Sequence, residues 1–535
     1  MVDLTAVRGK VQTLVTLTRV GMLTPQRPDL FLATAKAMKR YGRNAASATL
    51  AAAHRFPDAA AIIDERGSMS FRTLDESTSA IARGLAALGI DHTATVGVLC
   101  RNHRGFIQAA LAATKLGAKA LCLNTDFAGP QLAAVIASEG VTALVYDEEF
   151  ADRVAAADFT GPHVLAWVEG TSARPTLDGL AGAHGTDPLP RPAQEGRVGI
   201  LTSGTTGTPK GATRGATSLD PLAAMLEVIP LRVRGTTVLP APMFHVWGFA
   251  HLTLATALSS TLVLNRRFDA QWTVRAIEEH QADLLAIVPV MLARTLDAYD
   301  AADRKPRTTS LKAIMVGGSQ LGATLASRTL STWGDKLYNL YGSTEVAIGS
   351  VATPADLRAA PACVGRPVRG VSVVLLDEER RPVPTGEVGA IFVGSEMVFE
   401  GYTGGGGKEI VDGRASTGDV GHRDDAGRLF IDGRDDDMIV SGGENVFPAE
   451  VEDLLVAHPG VVEAAVLGVP DEEFGQRLAA FVVRAGGSDL DEDDVREHVR
   501  ANLARYKVPR DVTFLAALPR NPAGKVLKRE LKTSS

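Results

Sequence analysis

Two periods of apolar spacing alternate along the chain. Short apolar runs recur from residue 57 onward, each followed by a stretch of helical spacing. VGVLC at 96–100 reads as a strand and GFIQAALAATKLG as the helix after it. ALCLN at 120–124 is a second strand, and QLAAVIASEG a helix that ends at Gly140. ALVY at 143–146, LLAIV at 284–288 and AIMVGG at 313–318 continue the pattern. Strands that alternate with helices predict parallel sheets covered on both faces, an α/β fold. The stretch 160–196 is rich in Pro, Gly and Asp and reads as a surface loop.

The pattern changes from residue 371. VSVVLLDEERRPVPTGEVGAIFVG predicts a hairpin-rich β region. After GRDDD at 433–437 a smaller α+β unit begins, with AEVEDLLVAH and DEDDVREHVRANLAR as helices and VVEAAVLGV and LAAFVVR as strands.

Two segments invite a membrane reading. Residues 235–265 carry no Asp, Glu, Lys or Arg, which is length enough for a span. Pro240, Pro242 and two histidines argue instead for a loop, a buried helix and a strand, TLVL. At the start of the chain, Leu4, Val7, Val11, Leu14 and Val15 fall at helical spacing. The first fifty residues hold eight basic and two acidic side chains, a net charge of +6, which leaves −12 on the remainder. A basic amphipathic helix either lies on an anionic membrane surface or docks on the protein body, and docking is the expectation.

Composition narrows the function classes. The chain has 535 residues, 45% hydrophobic and 22% charged, enough for a large core. Its net charge of −6 disfavours a nucleic-acid partner. Cys100, Cys122 and Cys363 are too few and too scattered for a disulfide framework or a CxxC metal site. No secretory leader is recognisable, so a cytoplasmic location is expected.

The sharpest local signal is LTSGTTGTPKG, Leu201 to Gly211, directly after the apolar run VGIL. Small residues let backbone N–H groups converge on an anion, the hydroxyls add donors, and Lys210 adds a positive charge. A P-loop would need Gly-Lys followed by Ser or Thr, and the order here is different. A hydrolase elbow is missing too, because GGSQL at 317–321 lacks its final Gly.

LTSGTTGTPKG resembles the phosphate loop of the adenylate-forming superfamily of acyl-CoA synthetases, adenylation domains and luciferases. The resemblance runs from about residue 50 to 530. It implies a large N-terminal domain of parallel sheets with a β-rich subdomain (51–434), followed by a small mobile α+β domain (435–535). Residues 1–50 would be an added helical extension. Thr202, Ser203, Gly204, Thr205, Thr206, Gly207 and Lys210 would then hold the β- and γ-phosphates of ATP.

The same resemblance assigns the remaining motifs. In NLYGSTE, Asn339 to Glu345, Tyr341 would pack on adenine beside Asn339 and Gly342, Thr344 would touch the α-phosphate, and Glu345 would hold Mg²⁺. Gly317 and Gly318 of VGGSQ would line the adenine side. In STGD, Asp419 would accept the ribose hydroxyls, although Arg-Ala-Ser replaces the aromatic residues often found before Thr-Gly-Asp. Arg434 would reach phosphate or ribose, Asp436 would be the hinge, and Gly442, Gly443 and Glu444 would line the path for the CoA thiol. GGGGK at 404–408 reads as a flexible surface loop. Lys525 in PRNPAGKVL would be the adenylation lysine.

His245 in PMFHVWG resembles the aromatic gate of the acyl pocket, and no carboxylate follows to bind a substrate amine. A plain carboxylic acid is therefore expected, and the apolar pocket segment and basic start point to a medium- or long-chain fatty acid. Aryl acids stay open. No long insertion separates the phosphate loop from Asp419, which favours CoA over a carrier protein as acceptor. The oligomeric state is left open.

Overall fold

The computed structural model describes residues 4–23, 27–202, 210–213, 218–343, 346–397, 401–402, 408–434, 439–441, 444–471, 475–503, 505–521 and 524–532. Contacts divide the chain into two compact units. Unit 1 comprises 1–287, 294–315 and 396–407, and unit 2 comprises 288–293, 316–395 and 408–535.

Unit 1 is α/β, as the alternating pattern predicts. One sheet runs Gly401–Tyr402, Lys210–Thr213, Arg197–Thr202, Lys119–Cys122, Thr95–Leu99, Ala143–Asp147, His163–Trp167. Its last five strands are mutually parallel. The pairings of Lys210–Thr213 with its two neighbours are antiparallel. The parallel strands are almost entirely apolar because helices cover them. Leu99, Leu121, Leu144, Tyr146 and Phe150 meet Leu132 and Val135 of helix Gly129–Glu139 in one core. Gly140 closes that helix in the left-handed conformation that Gly adopts without strain. A second run of strands in unit 1 has the order Leu284–Ile287, Thr236–Val238, Thr261–Val263, Ala60–Asp64, Gly67–Ser70.

The reading of 160–196 as a loop is incorrect. His163–Trp167 is a strand parallel to Ala143–Asp147, and Leu177–Ala183 is a helix capped by Thr176. The short run VLAW is what buries this edge, and the Pro and Gly residues around it masked the signal. The segment 235–265 forms the expected helix (Val246–Ala257) and strand (Thr261–Val263), with a further short strand (Thr236–Val238) ahead of the loop. Among the described residues no helix is long and apolar enough to cross a membrane.

Unit 2 contains the hairpin-rich region. Ser372–Leu376, Gly389–Gly394, Arg414–Arg423 and Leu429–Arg434 form consecutive antiparallel pairs. A second sheet joins Val461–Asp471, Gly475–Arg484 and Asp511–Leu515. Helices Pro448–Val456 and Glu492–Asn502 contribute Val451, Leu455, Val495 and Val499 to its core. Asp491 opens the second helix with a capping box, its carboxylate accepting the Asp494 N–H at 2.9 Å. In unit 1, Lys115 is the largest charged side chain among the described residues of the interior. Its ammonium donates at 2.7 Å to both the Asp75 carboxylate and carbonyl, and at 2.9 Å to Ser79.

Candidate active site

Unit 2 gathers four of the sequence motifs. Tyr341 ends strand Leu337–Tyr341, and Asp419 lies in Arg414–Arg423. The tyrosine hydroxyl donates to the Asp419 carboxylate at 2.6 Å. Gly342 and Gly349 make the turn after Tyr341 feasible. A Cβ on Gly342 would lie 1.8 Å from the Ala347 carbonyl, and one on Gly349 would lie 3.0 Å from the tyrosine ring.

Asp419 is held from several sides. Its N–H donates to the Thr417 hydroxyl at 3.1 Å, and that hydroxyl donates to the Ile391 carbonyl at 3.0 Å. Arg434 is its register partner on the neighbouring strand, with Nε 3.9 Å from the carboxylate. Gly418 takes a φ of +78°, which turns the chain between Thr417 and Asp419. Burial pushes the Asp419 carboxyl above its ordinary range, opposed by the Tyr341 hydroxyl and the charges of Arg434, Lys525 and Lys408. Burial, then the Asp419 charge, raises the Tyr341 phenol so that it stays a donor. A buried acceptor-only group with one close side-chain donor among the described residues fits a ribose, whose two hydroxyls can complete it.

Lys525 occupies a short turn. Asn521 accepts the Gly524 N–H with its carbonyl at 2.8 Å and the Lys525 N–H with its side chain at 2.9 Å. Gly524 has a φ of +80°, and a Cβ there would lie 2.3 Å from Val290. The side chain of Lys525 is exposed, and its charge reaches Asp419. Gly317 and Gly318 follow the strand Ala313–Val316, with Gly318 at a φ of +88°. Gln320, two residues on, donates to Asp453 at 3.2 Å. Asn339 is buried and donates to the Cys363 carbonyl at 3.3 Å, a contact that fixes its strand.

Unit 1 carries the strands that flank the phosphate-loop motif and the histidine segment. Thr202 and Lys210 face one another in register on antiparallel strands. Ser203, Gly204, Thr205, Thr206 and Gly207 lie outside the described residues, as do Thr344, Glu345, Asp436, Gly442 and Gly443. Glu444 begins the strand Glu444–Val446.

His245 stands immediately before helix Val246–Ala257 without capping it. Its ring tilts against Phe244 at 4.4 Å. Nε2 is buried with no hydrogen-bond partner among the described residues, and burial lowers the imidazole to about 4, so His245 is neutral at pH 7. Trp247 donates to the Ile287 carbonyl at 3.0 Å, and its ring meets His251 edge-on.

Three supporting residues escape the sequence reading. Asn102 donates to the Ala241 carbonyl at 2.8 Å and accepts the Met243 N–H at 2.9 Å, which fixes the loop before His245. Thr417 anchors Asp419 in the same manner. Lys408, at the end of the glycine run read as a plain surface loop, acts electrostatically on Asp419, and its ammonium lies 3.4 Å from where a Gly418 Cβ would be. Asn102 is marked only by contacts distant in sequence, whereas Thr417 lies two residues before Asp419.

Among the described residues one cluster has metal-ligand types, Cys100, His103 and Asp147. Every ligand atom is already engaged. His103 takes the Gly105 N–H on Nδ1 at 3.0 Å and donates Nε2–H to Asp147 at 2.8 Å. Asp147 also accepts the Arg101 N–H at 2.9 Å, and burial raises the Cys100 thiol. The cluster caps helix Arg104–Leu116.

The family model for AMP-binding enzymes matches residues 50–403, and that for the AMP-binding enzyme C-terminal domain matches 450–525. An indoleacetate–CoA ligase from Aromatoleum aromaticum is 32% identical over 494 residues, 89% of this chain and 95% of the relative. A fatty acid–[acyl-carrier-protein] ligase from Streptomyces coeruleorubidus is 30% identical over 490 residues, 89% of this chain and 93% of that protein. The solved o-succinylbenzoate CoA synthetase of Bacillus subtilis, in complex with its acyl-adenylate intermediate, superposes with a TM-score of 0.79 at 26% identity, covering 91% of this chain and 97% of that one.

Proposed function

Because the chain belongs to the AMP-binding enzyme family of acid–CoA ligases, with ATP and CoA as co-substrates, we propose that it activates an aromatic carboxylic acid in the cytoplasm. The observation that carries the aromatic reading is the segment Phe244–Trp247 with its neutral His245, whose Nε2 has no partner among the described residues. A buried imidazole nitrogen without a partner costs stability unless a ligand supplies one. An alkyl chain offers no such group along its length, whereas a polar substituent on an aromatic ring does. The indoleacetate and o-succinylbenzoate relatives, both ligases of aromatic acids by name, support the same reading.

The chemistry follows from the electrophile. A carboxylate repels nucleophiles, and transfer to the α-phosphorus of ATP converts it to a mixed anhydride with release of pyrophosphate. Asp419 and Tyr341 would hold the ribose and adenine, while Thr202, Lys210 and the residues between them would hold the outer phosphates. Lys525 and Thr344 would stabilise the charge that grows on the α-phosphate, and one such donor is worth about 10² to 10³ in rate. Mg²⁺, held by Glu345 and phosphate oxygens, would supply charge neutralisation. Rotation about Asp436 would then replace Lys525 by the Gly442–Glu444 loop, and the CoA thiol would displace AMP.

A second reading has support from the carrier-protein ligase relative and the charge-free stretch 235–265: a fatty acid loaded onto CoA or a carrier protein. The test is AMP release from ATP with indole-3-acetate, benzoate, a cinnamic acid, octanoate and palmitate, each with and without CoA. The expected result is CoA-dependent release at least about tenfold faster with one of the aromatic acids. Preference for palmitate would overturn the aromatic reading, and pyrophosphate exchange without CoA-driven turnover would move the acceptor to a carrier protein.

A further inference from the structure

We propose that helices Leu4–Arg19 and Pro28–Tyr41 form a docking surface for an anionic membrane. The first helix is attached to unit 1 by its polar side. Thr13 donates to Asp220, and the Thr16 hydroxyl to Glu227 at 3.2 Å, both on or beside the helix Asp220–Val228. Arg19 donates to the Leu226 carbonyl at 3.0 Å. Leu17 and Val20 are buried on that same side.

At about 3.6 residues per turn the apolar stripe falls on the opposite side. Val11, Leu14 and Val15 are 55%, 56% and 60% exposed there. The expected docking therefore occurs, through Leu17, Val20 and the polar contacts of Thr13, Thr16 and Arg19, while Val11, Leu14 and Val15 are left outward. The second helix buries Ala37 and Tyr41 and also turns apolar side chains outward. Phe31, Leu32 and Met38 are 64%, 57% and 37% exposed. Of the eleven exposed large hydrophobics among the described residues, six lie on these two helices. Such concentration on a small part of a chain marks an interaction surface.

Charge selects the occupant. Arg8, Lys10, Lys36, Lys39 and Arg43 are exposed around these faces, while the nearby Asp29 is engaged by Arg27 at 2.9 Å. A second copy of the chain would set these cations against their own kind. A bilayer rich in anionic headgroups would neutralise them while its acyl boundary takes Val11, Leu14, Phe31 and Leu32. The remaining −12 of the chain would be repelled, which orients the protein with these helices against the membrane. The surface precedes residue 50, where the family match begins, so it is an addition to the shared catalytic body.

Sedimentation of the full-length protein with vesicles tests this without any substrate, so its outcome is separate from the ligase reading. Binding is expected to phosphatidylglycerol-containing vesicles, to weaken as salt rises, and to be absent from pure phosphatidylcholine. Three exposed double variants report on it: Leu14→Glu with Val15→Glu, Phe31→Glu with Leu32→Glu, and Arg8→Glu with Lys10→Glu. Each should lower vesicle affinity by at least about tenfold and leave turnover of a water-soluble acid unchanged. Equal binding to neutral vesicles, no vesicle binding, or unaltered binding by all three variants would overturn the proposal. Self-association that Leu14→Glu with Val15→Glu abolishes, in protein that ignores vesicles, would overturn it in favour of a dimer.

Discussion

The Tyr341 hydroxyl donates at 2.6 Å to the Asp419 carboxylate, joining two strands whose residues are 78 apart in sequence. The bond gives a desolvated carboxylate its closest donor and fixes the tyrosine ring in one orientation. If the pair reads the nucleoside, Tyr341→Phe should raise the KM for ATP by roughly tenfold, the value of one hydrogen bond to a charged group. Asp419→Asn should raise it by about ten- to a hundredfold. Initial rates against ATP concentration check both, and an unchanged KM in Asp419→Asn would remove Asp419 from the nucleotide site.

Lys525 and Gly524 separate chemistry from positioning. Lys525→Ala should slow pyrophosphate exchange by about 10² to 10³ and leave conversion of supplied acyl-AMP with CoA near its original rate. Gly524→Ala should slow the exchange as well, because its φ of +80° and the 2.3 Å approach to Val290 force the turn to move. Equal loss of both half-reactions in Lys525→Ala would mean that the lysine is not specific to adenylation.

His251 makes stability depend on acid. It is 2% exposed, its Nδ1–H donates to the Trp247 carbonyl at 2.9 Å, and burial lowers it to about 4. The unfolded chain binds the proton near pH 6.5 and the folded chain only near 4. Its contribution is therefore present above 6.5 and is lost as pH falls toward 4, by up to about 3 kcal/mol. Urea midpoints at pH 7 and pH 4.5 measure the loss. His251→Met should flatten part of that dependence, and an identical slope in the variant would assign the effect elsewhere.

The buried Lys115 offers a stability test far from the chemistry. Lys115→Ala removes the ammonium that satisfies the Asp75 carboxylate and carbonyl. Breaking such a pair from one side costs about 3 to 5 kcal/mol. Thermal unfolding should show the loss, and replacing Asp75 by Asn together with Lys115→Met should recover much of it.

Several residues of the candidate site stand out in the sequence because they fall in contiguous motifs. Tyr341, Asp419 and Lys525 each sit in a short run whose residue types declare a turn beside a strand. The parallel strands are equally plain, since burial on both faces makes Thr95–Leu99 and Ala143–Asp147 nearly continuous apolar runs. What stays hidden depends on distant partners. Asn102 looks ordinary until the Ala241 and Met243 backbone closes on it. Spacing alone identifies the helix Leu4–Arg19, but which side docks is decided by Asp220 and Glu227, some two hundred residues later.

The path of the chain has a consequence for synthesis. Strand Gly401–Tyr402 completes a sheet of unit 1 by pairing with Lys210–Thr213, and the chain enters unit 2 more than once before reaching it. A nascent chain thus holds an unpaired strand edge until residue 402 has emerged. Such an edge recruits other strands. Fragments ending anywhere between 213 and 401 should therefore aggregate on expression, and a slowed ribosome in that interval should raise the demand for chaperones.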